Sequence, residues 1–150
     1  MIIRAYRPED RESICRIHDA ARQEELRLSG LEDAYLPLAV TGDREGLWDY
    51  PGLFVAEDGG TVLGFAACSE TELAWLYVEP GHARQGIGSE LVRCLLARYP
   101  GIRTAEVLAG NYPAAGLYER FGFIRTDTVA GRMPGNEEFE VTAWIYTRKG

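Results

Sequence analysis

Between Gly52 and Pro80 the chain carries three β-rich runs in succession, GLFVAED, TVLGFAACSE and ELAWLYVEP, with no helical period between them. The first two flank Glu57-Asp58-Gly59-Gly60, a hairpin signal in which glycine supplies the positive φ that a tight turn requires. The third is ended by Pro80, and a helix follows soon after. Strands joined by hairpin-type links cannot make a purely parallel sheet, because each parallel pair needs a long crossover between its strands. The chain is therefore expected to build a mixed sheet.

The flanking segments fill in the order. IIRAY reads as a first strand. The stretch after it places Ile14, Ile17 and Ala21 at three- and four-residue spacing, the period of an amphipathic helix, with Pro8 where a first turn tolerates it. From Ser29 to Tyr50 turn formers mix with isolated apolar groups, which suggests a short second helix and an irregular stretch. Ile87, Leu91, Leu95 and Tyr99 share one helical stripe, with Arg93 and Arg98 off it. RTAEVLAG is the next strand. NYPAAGLYERFGF then carries Ala114, Leu117, Tyr118 and Phe121 at helical spacing before Gly122, a natural stop. Two strands around the turn MPGN close the chain. The fold class is thus α/β in the α+β sense, with a mixed central sheet of about six or seven strands flanked by about four helices.

With 150 residues, 46% of them hydrophobic, one domain spanning 1–150 is expected to have an ample core. A formal net charge of -7 and the lack of any Lys/Arg cluster argue against nucleic acid or an anionic membrane as partner. Cys15, Cys68 and Cys94 lie far apart with no CxxC spacing. That fits reduced thiols, with neither a disulfide framework nor a metal site. No basic segment followed by an apolar one opens the chain, and no apolar run approaches the ~18 residues of a membrane span, so a cytoplasmic location is expected.

GHARQGIG, residues 81–88, places glycines directly before the Ile87 helix. It is not a P-loop: Ile87 and Gly88 stand where Lys and Ser/Thr are required. A dinucleotide fingerprint starting at Gly86 would need a small residue at Leu91, and would have to follow the first strand of a βαβ unit. What remains is a strand ending at Val78 and a loop that feeds the N–H groups of Arg84, Gln85, Gly86, Ile87, Gly88 and Ser89 into a helix start. The first amides of a helix have no partner inside it, and their partial positive charge suits an anion such as a pyrophosphate.

On these residues the chain resembles the GCN5-related N-acetyltransferase (GNAT) family. LYVEPGHARQGIGSELV is similar to its acetyl-CoA segment, R/Q-x-x-G-x-G/A. EVLAGNYPAAGLYERFGF is similar to its N-x-x-A-x-x-L/F-Y-E-x-x-G-F segment, matching at Asn111, Ala114, Leu117, Tyr118, Glu119, Gly122 and Phe123. One departure is Ala83, where the family carries Gln or Arg; Arg84 or His82 is placed to compensate.

The resemblance implies an acetyl-CoA-dependent N-acetyltransferase acting by direct transfer on a primary amine of a small molecule or peptide. The alternative is a non-catalytic acyl-CoA-binding sensor or scaffold; a homodimer is left open. The resemblance also implies a sheet splayed between its fourth and fifth strands, with the pantetheine arm lying against Leu76, Tyr77 and Val78, and Asn111 touching that arm. It assigns Tyr118 as proton donor to the departing thiolate, although Tyr118 also lies on the apolar stripe of its helix. Glu106 takes the position of a catalytic glutamate in ribosomal-protein N-terminal acetyltransferases, and Glu72 is the second candidate base, acting through water.

By capping alone Asn111 is accounted for, with Pro113 in the first turn behind it. Gly116, costly inside a helix, suggests that something approaches its backbone closely. Glu24, Glu25, Glu32, Asp33, Glu137 and Glu138 form an acidic set that fits either the steering of a cationic amine or a solvated surface. Trp48 and Trp75 fit either a pocket or the core.

Overall fold

In a computed structural model that describes residues 1–149, the three β-rich runs become β2 (Gly52–Asp58), β3 (Thr61–Cys68) and β4 (Glu72–Val78). They pair antiparallel in sequence order. β1 (Ile2–Ala5) joins the free edge of β2. On the other side follow β5 (Thr104–Leu108), β7 (Asn136–Thr147) and β6 (Ile124–Met133), giving the order β1-β2-β3-β4-β5-β7-β6. Among the described residues only β4 and β5 run parallel, because the helix α3 (Ile87–Arg98) crosses between them. The remaining helices are α1 (Arg11–Leu28), α2 (Leu38–Arg44) and α4 (Tyr112–Arg120). The mixed sheet and its helix count agree with the expectation.

Apolar runs in β2 and β3 are nearly continuous because both faces of the sheet are covered. Successive side chains point to opposite faces, and the core divides accordingly. Phe54, Ala56, Ala66 and Cys68 pack with Leu91 and Leu95 of α3. Leu53, Val55, Phe65 and Ala67 pack with Ile14 and Ile17 of α1. The stretch 29–50 resolves into short 3-10 turns at Glu32–Ala34 and Leu47–Asp49 on either side of α2. Phe121, expected on the stripe of the last helix, lies just beyond its end at Arg120, as the capping residue before Gly122. No helix among the described residues is long and apolar enough to cross a membrane.

The start of α1 is pinned to β1. Asp10, 6% exposed, accepts from Arg4 Nη1 at 2.8 Å, from Arg4 Nη2 at 2.9 Å and from the Arg7 amide at 2.8 Å. The Arg4 guanidinium, with the Arg7 amide, holds this carboxyl below the usual carboxylate range against the opposing effect of burial. A depressed folded-state pKa contributes stability that is complete above the ordinary Asp range and is lost as pH falls through the depressed value. Asp10→Asn is expected to cost about 1–3 kcal/mol at pH 7 and to flatten the loss of stability in acid. Urea melts from pH 7 down to pH 3 check this, and an unchanged acid slope would remove the pair from the account.

Candidate active site

β4 and β5 pair at two positions only, Glu72 with Thr104 and Leu73 with Ala105. Beyond them β4 stays bound to β3 through Leu76, Tyr77 and Val78, while β5 stays bound to β7 through Leu108. The strands thus part company on the side where α3 and α4 begin, as the resemblance implies. A cavity of about 450 Å3 occupies the gap and its surroundings.

Of the residues anticipated from sequence, the structure brings Leu76, Tyr77, Glu106, Asn111 and Tyr118 to that cavity. Val78 and the loop residues 84–89 do not line it. Nor does Glu72, which lines a second cavity of about 370 Å3 with Tyr50, Glu45 and Glu137. The two cavities share Glu45, Ala74, Trp75, Glu106 and Pro134, so Glu106 and Trp75 stand at their junction. Trp75 is therefore a cavity residue, 8% exposed. Trp48 instead packs on the Tyr6 ring under the Arg11 guanidinium. Strand alternation behaves as expected at Glu106, which is exposed between buried Ala105 and Val107.

The glycine loop lies past the end of β4. A 3-10 turn over Pro80–His82 leads to Arg84 at φ 66° and Gly86 at φ 83°, and α3 begins at Ile87. Arg84 is the one non-glycine residue with positive φ among the described residues, a conformation costing roughly 1–2 kcal/mol for a residue with a Cβ. Gly86 is the cap of α3, and a β-carbon there would carry the same cost. The two left-handed residues curl the loop around the unpartnered first amides of the helix, which suits an anion. A β-carbon on Gly88 would lie 3.2 Å from Leu117 Cδ2, so α3 and α4 abut at this point. At Gly116 a β-carbon would meet nothing within 4 Å, so no other part of the chain makes the expected close approach.

Tyr118 is 5% exposed, with its ring 5.7 Å from that of Phe123. Burial, and to a lesser degree the Glu25 charge, push its phenol well above the ordinary value, so it remains a proton donor through the neutral range. Asn111 caps α4: its Oδ1 accepts from the Ala114 amide at 3.3 Å. Gly110, at φ 101°, brings it there; a β-carbon on Gly110 would sit 3.0 Å from the Leu28 carbonyl, so the end of β5 passes tightly under the end of α1.

His18 and Arg22 of α1 and Glu45 after α2 escaped the sequence; they face the first cavity together with Glu25, one of the acidic set. His18 is 3% exposed, bonded through Nδ1 to Asp19 and edge-on to Tyr77; burial lowers its pKa, so it is neutral near pH 7. Tyr77 does more than offer backbone to the gap, since its hydroxyl donates to Glu25 at 2.8 Å. Burial raises Glu45 to about 7, with Arg22 opposing and Glu137 adding to the shift. Burial and the neighbouring Glu106 charge raise Glu72 as well. The Arg22/Glu25 spacing of three was a visible ion-pair signal, but nothing local pointed either residue at the gap.

A family model described as "Acetyltransferase (GNAT) domain" matches residues 49–125. The chain is 32% identical over 93 residues to the peptidyl-lysine N-acetyltransferase YiaC of Escherichia coli (strain K12), over 61% of this chain and 60% of that protein. Among solved structures, a GCN5-related N-acetyltransferase from Rhodopseudomonas palustris superposes with a TM-score of 0.77 at 21% identity, covering 99% of this chain and 95% of that one. The PaiA N-acetyltransferase of Thermoplasma acidophilum, solved in complex with coenzyme A, superposes with a TM-score of 0.66 at 19% identity, covering 99% and 98%. Among the described residues no group of His, Cys, Asp and Glu is arranged to hold a metal ion.

Proposed function

Since the chain belongs to the GNAT acetyltransferase family, we propose that it transfers acetyl from acetyl-CoA directly to a cationic primary amine, on a small molecule or a peptide. The observation that carries this reading is the parting of β4 and β5 into a cavity that Tyr118 lines together with Glu106 and Asn111. The residues present fit coenzyme A: curled amides at the start of α3 suit a pyrophosphate, and the free edge of β4 from Ala74 to Val78 suits an extended amide-bearing arm. Bound there, acetyl-CoA supplies an acetyl group already activated as a thioester.

The chain's own groups then have separate tasks. The β4 backbone orients the arm and donates hydrogen bonds where negative charge develops on the carbonyl oxygen. Glu106, at the junction of the cavities, takes the proton that the attacking amine must lose, and Glu72 serves the same path through water. Tyr118 gives its hydroxyl proton to the departing sulfur. Walls of Leu76, Val107 and Leu108 limit water at the reacting centre.

Charge at the second cavity supports a cationic acceptor. Glu45, Glu72, Glu106 and Glu137 surround it, while its arginine, Arg44, donates to the Gly135 carbonyl at 2.9 Å. This is compatible with the lysine side chain named for the Escherichia coli relative, and equally with a small amine. With Glu45 raised to about 7, the negative charge facing an incoming ammonium declines as pH falls through that value. An acid limb in kcat/KM near pH 7 is expected in the unaltered protein and is expected to disappear in Glu45→Gln. A limb that persists in the variant would remove Glu45 from acceptor binding.

The reaction itself is tested by free-thiol release from acetyl-CoA across a panel of amines and lysine-containing peptides. Tight CoA binding with no thiol release for any acceptor would favour a binding module instead.

A further inference from the structure

By sequence Glu25 is one of six acidic groups suited to steering a cation. In the fold it is a meeting point of three elements. Its Oε1 accepts from Arg22 Nη1 at 2.6 Å and from the Tyr77 hydroxyl at 2.8 Å, and its Oε2 accepts from Asn111 Nδ2 at 3.1 Å. Tyr77 belongs to β4, and Asn111 follows β5 and caps α4, so one side chain of α1 grips both sides of the gap.

That grip matters because the gap has no ladder of its own. After Leu73 and Ala105 no backbone bond joins β4 to β5 among the described residues. Sheet hydrogen bonding therefore leaves the distance between the strands undetermined, and side chains that span it must set it. Arg22 supplies the counter-charge that a half-buried carboxylate needs when its other partners are neutral.

The geometry points to Glu25 as a positioning residue, a clasp that sets the opening between β4 and β5 and orients Asn111 toward the pantetheine arm of coenzyme A. Asn111 offers two N–H donors and an oxygen with two lone pairs. One lone pair goes to the Ala114 amide and one N–H to Glu25, which fixes the sense of the amide, since the reverse would set oxygen against carboxylate. One N–H and one lone pair remain. Capping and a contact to the cofactor are thus compatible, provided Glu25 holds the group still. The inference rests on the coenzyme A reading above and adds a residue that acts through another.

Calorimetric titration of CoA into the full chain tests it with no acceptor required. Glu25→Ala and Asn111→Ala are each expected to weaken CoA binding by about tenfold, and the double variant by little more than either, because coupled residues fail to add. Glu25→Gln, which keeps an acceptor oxygen and loses the charge, is expected to lose about threefold. An additive, roughly hundredfold loss in the double variant overturns the clasp. So does unchanged CoA affinity in Glu25→Ala, even with a lowered Tm, because a purely structural residue would behave that way. If Glu25→Ala does not fold, Glu25→Gln with and without Asn111→Ala reads the same coupling. CoA bound by the unaltered protein and equally by the variants sinks the clasp alone; no CoA bound by the unaltered protein sinks the coenzyme A reading with it.

Discussion

Tyr118→Phe is expected to lower kcat by about 10²- to 10⁴-fold, the range typical of losing a positioned general acid. KM for acetyl-CoA should change far less. The ring of Tyr118 is buried against Phe123 and remains so in the variant, so packing is retained and only a hydroxyl is lost. A residue that acts only when sulfur departs contributes to the transition state and little to ground-state binding, which separates the two constants. The high phenol pKa imposed by burial also predicts that no limb in the pH profile below about 9 belongs to Tyr118. Steady-state thiol release, with circular dichroism to confirm the fold, is the measurement. A kcat within threefold of the unaltered protein would leave Tyr118 as a core residue.

Phe65→Ala should be the most damaging single truncation on the α1 side of the sheet, costing about 3–5 kcal/mol. Phe65 is fully buried in the middle of β3, within the cluster formed with Ile14, Ile17 and Trp75. Total stability of a domain this size is only about 5–15 kcal/mol, so the loss is a large fraction of it. The ring also lies 5.7 Å from that of Tyr77, whose hydroxyl reaches Glu25. Chemical denaturation would give the free energy. Loosening of Tyr77 should appear as weaker CoA binding in whatever fraction still folds. A cost under 1 kcal/mol would mean that the surrounding side chains collapse into the space.

Much of the architecture was legible because its causes are local. The hairpin at Gly59-Gly60, the glycine before α3 and Asn111 before Pro113 each satisfy backbone geometry within a few residues. Alternation placed Glu106 facing away from the core, and the stripe of Ile87, Leu91 and Leu95 placed the inner face of α3. Phe121 packs with Ala114, Leu117 and Tyr118 against one core cluster, as their spacing predicts, although the helix itself stops at Arg120. Trp75 and Trp48 were indistinguishable because burial of a tryptophan is the same signal whether a cavity or a core lies beside it.

What the sequence determined by itself is the order of elements, the mixed sheet, the glycine-led start of α3 and the place of Asn111 as the cap of the helix that carries Tyr118. Each follows from periodicity or from the geometry of neighbouring residues. Only the tertiary structure decided that Glu25 meets Asn111, 86 positions away, that Glu72 belongs to a different cavity from Tyr118, and that Glu45 titrates near neutrality. Those outcomes depend on how closely α1, α2 and the β6–β7 hairpin pack over the open edge of β4. That closeness is set by the volumes of side chains across the whole core, which no local pattern records.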